Sequence, residues 1–121
     1  MSDAAVVRLP EPLRLRDIAA DLFDALRERS FDGTGITREC YDEGENAAIA
    51  LFRETAERHG LEVRFDAAAN MIVSLPGDTG SKPGLLLASH ADSVPQGGNF
   101  DGAAGIVAGL LTLIRLAADG T

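Results

Sequence analysis

The stretch "SHADSVPQGGNFDG", Ser89 to Gly102, places one histidine and two aspartates in a glycine-rich loop between two apolar segments. Asp92 follows His90 by two residues and Asp101 follows it by eleven. Imidazole nitrogen and carboxylate oxygen are standard ligands for a borderline divalent metal such as zinc. A carboxylate close to a coordinating histidine can hold the ring's other N–H and fix the tautomer that binds. His90 and Asp101 are therefore candidate ligands, and Asp92 is the candidate that orients His90. Gly97, Gly98 and Gly102 let the backbone turn tightly and bring Asp101 back towards His90. Each residue also has an ordinary use. A histidine at a strand end is commonly a satisfied polar group, Asp101 suits the N-cap of a following helix, and Asp92 in "DSVP" suits a turn. The loop is no Walker loop, because the Gly-Lys-Ser/Thr ending is missing.

Other elements must hold this loop. "LLLAS", bounded by Gly84, is short and apolar and predicts a buried interior strand over Leu85 to Ala88, with His90 at its C-terminal end. Open α/β sheets place their ligands at such ends. Ala103 to about Ala118 predicts a helix, apolar nearly all round and so deeply packed. Its Gly105 and Gly109 form a GxxxG that suits close packing. Upstream, Ile18, Leu22 and Leu26 are four apart and predict an amphipathic helix over Leu13 to about Arg29. Asp32, Gly33 and Gly35 mark a loop. Ala48, Phe52 and Ala56 share a face of a second helix, Glu43 to His59, stopped by Gly60. His59 there suits the helix dipole. "LEVRFD" and "NMIVSL", joined by a short link, predict an antiparallel hairpin.

Composition narrows the classes. The chain has 121 residues, 45% hydrophobic and 25% charged, as an ordinary globular domain has. A net charge of −8 argues against nucleic acid or an anionic membrane as partner. Cys40 is the only cysteine, which excludes an internal disulfide and fits a reducing cytoplasm. The chain opens with no signal-peptide pattern, and no apolar run reaches the roughly 20 residues of a membrane span. Helix, helix, hairpin, buried strand and buried helix together indicate an α/β layered domain. A strand and helix this apolar need cover on more sides than the other elements provide. The expectation is therefore a piece of a larger assembly: residues 1–12 a tail, and residues 13–121 the incomplete N-terminal portion of a domain.

The whole motif resembles the first metal-binding segment of the M20-type metallopeptidase and amidohydrolase superfamily. More narrowly it resembles the hydantoinase/carbamoylase branch, in which His-x-Asp is closely followed by Gly-Gly-x-x-Asp-Gly. "GITRECYDEGENAA" is similar to that branch's Gly-x-Thr-Arg stretch, "GLEVRFDAAANMIVSLPG" to its Asp-x-x-Gly-Asn hairpin, and "GIVAGLLTLIRL" to its next helix. The resemblance implies the N-terminal part of an M20-type catalytic domain, truncated before its later strands. It implies that His90 binds one metal, that Asp101 bridges two divalent ions, zinc or manganese, and that Asp92 orients His90. It implies hydrolysis of a C–N bond in N-carbamoyl-L-amino acids or ureido acids such as allantoate, by a metal-activated water. The short His90–Asp101 spacing argues against an M20-type aminoacylase or peptidase.

Several positions depart from the pattern. Ala91 stands where Leu is common, Ala88 where Gly is common, and Ala69 where the hairpin usually has Gly. The family's Glu-Glu pair, source of a general base and a ligand, is absent, and His59 is the only other histidine. No substrate-binding residue is identifiable. The chain alone is thus expected to be inactive, completed by a second, C-terminal polypeptide, or else to be a non-catalytic remnant serving as an interaction module.

Overall fold

The computed structural model describes residues 12–120. The expected tail lies outside them apart from Pro12, which opens α1, Pro12–Ser30. Proline suits a first helical position, and Arg27 and Arg29 in the last turn complement the helix dipole. Leu22 and Leu26 of the predicted stripe are buried, with Ile18 packed beside them.

Helix α2, Glu43–Arg58, begins at Asp42, whose side chain accepts from the Glu43 N–H. Glu43 and Glu45 place negative charge in its first turn. It buries Ala48, Leu51, Phe52, Thr55 and Ala56. His59 is its C-cap, with the ring Nδ1 2.8 Å from the Thr55 carbonyl, so this histidine is spent on ending a helix.

Strands β1, Glu62–Phe65, and β2, Met71–Ser74, pair antiparallel from Glu62↔Ser74 to Phe65↔Met71. Asp66 builds the turn by accepting from the Ala68 and Asn70 N–H groups and from Asn70 Nδ2. Ala69 in that turn has φ +65°, the left-handed region where a glycine costs less.

Helix α3, Ala103–Asp119, buries Ala103, Val107, Leu110 and Ile114. α1 lies between α2 and α3 and packs against both, and the hairpin joins through α2. Their apolar faces meet in one core cluster that Val63, Met71 and Val73 of the hairpin also touch. The α/β class and the predicted order of three helices and a hairpin hold.

Two expectations are corrected. Leu85 to Ala88 forms no strand and is not buried: Leu85, Leu86 and Leu87 are 90%, 79% and 52% exposed. Apolarity signals burial only where neighbours exist to cover it, and the sheet described here has two strands, both in the hairpin. Helix α3 is covered along one stripe, while Ala104, Gly105, Ala108, Thr112 and Arg115 are exposed. The uncovered Leu87–Ser89 segment instead runs over its GxxxG. A Cβ on Gly105 would lie 2.5 Å from Ser89 Oγ, and one on Gly109 would lie 3.6 Å from Leu87 Cβ. The small residues admit a chain segment onto the helix.

Candidate functional site

The two limbs of the loop converge where α3 begins. The Ser89 hydroxyl donates to the Gly102 carbonyl at 2.7 Å and ties the start of the loop to its end. Gly102 has φ +69° and is the N-cap of α3, with no side-chain cap bond. A Cβ there would fall 2.5 Å from both Nδ1 and Cε1 of His90. Only glycine admits the imidazole at this position. The sequence suggested that Asp101 itself could cap the helix, but the Asp101 carboxylate is not used that way. Its main-chain carbonyl accepts from the Ala103 N–H at 2.7 Å, and its side chain turns to His90.

His90 Nε2 and Asp101 Oδ1 are 3.6 Å apart. That is long for a hydrogen bond. It is close to the roughly 3.4 Å that separates two ligand atoms sharing one tetrahedral ion at bonds of about 2.0–2.2 Å. On the other side of the ring, His90 Nδ1 is 3.0 Å from Asp92 Oδ1 and 3.1 Å from the Asp92 carbonyl. Both oxygens accept, so Nδ1 must be the donor. In the neutral ring this leaves the Nε2 lone pair facing Asp101. The side chains of His90 and Asp101 are half or more exposed, so an ion from solvent can reach them.

All three sequence candidates are therefore brought together, in the order the chemistry needs. The donor set, one imidazole nitrogen and one carboxylate oxygen, fits a divalent metal of borderline character. Among the described residues no third His, Cys, Asp or Glu joins them. Cys40 is exposed elsewhere, its thiol pushed up by desolvation and then by the charges of Glu45 and Asp92.

Sequence reasoning missed the residues beneath the loop. Ile36 and Gly97 exchange both main-chain hydrogen bonds, at 3.0 and 2.8 Å, and dock the loop onto the segment after α1. Gly35 is needed there, because a Cβ would lie 2.8 Å from the Gln96 carbonyl. The Ser93 N–H donates to the Arg38 carbonyl, and the Arg38 N–H donates to Ser93 Oγ. Arg38 is wholly buried. Burial pushes its guanidinium pKa down, and the negative charges of Asp101 and Asp92 oppose that shift. Its only sequence signal was its place in "GITR", which says nothing of a position under His90.

No family model matches the chain. Among curated proteins it is 39% identical over 88 residues to the allantoate amidohydrolase of Bacillus subtilis, covering 72% of this chain and 21% of that protein. It is 37% identical over 76 residues to an N-carbamoyl-L-amino-acid amidohydrolase of Pseudomonas sp. (strain NS671), covering 63% and 18% of the two. With an allantoate deiminase of Arabidopsis thaliana it shares 32% identity over 120 residues, 99% of this chain and 20% of that one. Among solved structures, a hydantoinase/carbamoylase family amidase from Burkholderia ambifaria superposes with a TM-score of 0.74 at 26% identity, over 95% of this chain and 27% of its own. The chain thus spans about a fifth of the length of the curated relatives it matches. Sequence and fold agree over nearly all of the chain, which belongs to the hydantoinase/carbamoylase family of amidohydrolases.

Proposed function

We propose that this chain supplies part of the divalent-metal site of an M20-type amidohydrolase acting on the C–N bond of an N-carbamoyl-L-amino acid or a ureido acid such as allantoate. The observation that carries the reading is the 3.6 Å approach of His90 Nε2 to Asp101 Oδ1, with the imidazole held from behind by Asp92. The names of the relatives, N-carbamoyl-L-amino-acid amidohydrolase and allantoate amidohydrolase, support the substrate class.

His90 would hold one zinc or manganese ion through Nε2, and Asp101 would hold that ion and a second. When bound, such ions polarise a scissile carbonyl and lower the pKa of water. This chain's own share is positional. Asp92 keeps the Nδ1 proton on its own side of the ring, Gly102 gives the ring room, and Asp101 aims a carboxylate at the open nitrogen. Two donors hold an ion weakly, and the sequence has no adjacent glutamates to provide a base for the water proton. The site therefore needs ligands and a base from outside these 121 residues, and these residues alone do not turn over. The unpaired thiol of Cys40 suits the cytoplasm.

The test is a chimera in which this chain replaces the matching segment of the B. subtilis allantoate amidohydrolase. After chelation and readdition of zinc or manganese, the folded chimera should hydrolyse allantoate or an N-carbamoyl-L-amino acid, and the isolated chain should not. A folded, metal-loaded chimera inactive on both substrates overturns the reading. So does an enzyme-like rate from the chain alone.

A further inference from the structure

Arg38 is the largest of the fully buried side chains, and no carboxylate lies within ion-pair distance of it among the described residues. A buried cation without a direct counter-ion is costly unless it is hydrogen-bonded. Here each of the three guanidinium nitrogens makes one bond, all to a single loop. Nε donates to the Ala91 carbonyl at 3.0 Å, Nη1 to Asn99 Oδ1 at 3.1 Å, and Nη2 to the Asn99 carbonyl at 3.3 Å. Asn99 Nδ2 in turn donates to the Phe23 carbonyl of α1 at 2.9 Å. Ala91 sits between His90 and Asp92, and Asn99 lies two residues before Asp101. One planar guanidinium thus grips both limbs of the loop, each next to a candidate ligand, and Asn99 anchors the grip to α1.

We propose that Arg38 is a positioning residue that sets the separation of His90 and Asp101, and so the width of the metal-binding gap. This rests on the metal-site reading, although the geometric part stands without it. A rigid fork with fixed angles suits the task. A lysine would bring the charge but reach only one limb. Asp92 and Asp101 supply the negative field that lets a cation stay buried here, their charges raising the guanidinium pKa against the effect of burial. The loop and its buried cation therefore stabilise one another.

The test uses the 121-residue chain, with Arg38→Lys, Arg38→Met and Asn99→Ala, each checked for helicity and melting. The metal-free readout is the nuclear Overhauser contact between the His90 ring and the Gly102 α-protons, which the close approach of the two residues demands. It should be present in the parent and lost or several-fold weaker in each folded variant, while contacts within the α1–α2 core persist. Cobalt(II) titration followed at the His90 signals should show affinity reduced by roughly 10-fold or more. If Arg38→Met unfolds, Arg38→Lys and Asn99→Ala carry the test. A His90–Gly102 contact unchanged in the folded variants overturns the proposal and leaves Arg38 a core-filling residue. A parent chain that takes up no cobalt at His90 would count against the metal site, while the metal-free contact would still decide the role of Arg38.

Discussion

At the scale of single residues, backbone conformation and local hydrogen bonds explain more than side-chain type. Ala69 has φ +65° in a turn already built by Asp66. An L-residue there costs about 1–2 kcal/mol, offset in part by the unfolded-chain entropy that glycine would add. Ala69→Gly should therefore raise stability by about 0.5–1 kcal/mol in urea unfolding, and a loss would show that the turn is unstrained. Asp32 accepts from the Thr34 and Gly35 N–H groups and from the Thr37 hydroxyl, and these bonds hold its carboxyl below the ordinary 3.8, Gly35 contributing most. A carboxyl depressed on folding binds its proton more weakly folded than unfolded. Its stabilisation is complete above the ordinary value and is lost as pH falls through the depressed one. Melting temperature should thus fall on acidification below about pH 4, and less steeply in Asp32→Asn. Equal slopes would remove Asp32 from the acid transition.

Elements were legible where their signals are local. The apolar spacing of α1 and α2, the Asp42 cap, the Gly60 stop and the alternation in β1 all lie within a few residues of the structure they specify. Asp42→Ala should accordingly cost about 0.5–2 kcal/mol, read by thermal unfolding of the helical signal. An unchanged melt would mean that the Asp42 side chain does not stabilise the start of α2. The three loop residues were legible as a motif, since Asp92 and Asp101 follow His90 by two and eleven residues within one glycine-rich loop. Arg38 was not, because its partners lie 53 and 61 residues away and only the folded chain brings them together. The exposure of Leu85 to Leu87 was illegible for a related reason. Three leucines encode a preference for cover, and whether cover arrives is decided by segments far from them in sequence.

Across the whole molecule, the same segment governs solution behaviour. Leu85, Leu86 and Leu87 are exposed, as are Val94 and Phe100 at 65% and 63%. Apolar surface beside unpaired backbone is a template for association. The isolated chain should self-associate as concentration rises in light scattering, and Leu85→Lys with Leu86→Glu should shift it towards monomer without loss of helicity. A wild-type chain that stays monomeric at high concentration would show that this surface is not sticky. The core of three helices and hairpin would fold in either case and deliver the loop, which makes the loop the central claim. The most direct test is a zinc titration of the intact chain, followed by amide and imidazole resonances, alongside Asp101→Ala and Asp92→Asn. The account predicts weak binding of one ion, with shifts centred on His90 and Asp101, abolished in Asp101→Ala and weakened roughly 10–100-fold in Asp92→Asn. Zinc shifts centred elsewhere, or binding that survives Asp101→Ala undiminished, would contradict it.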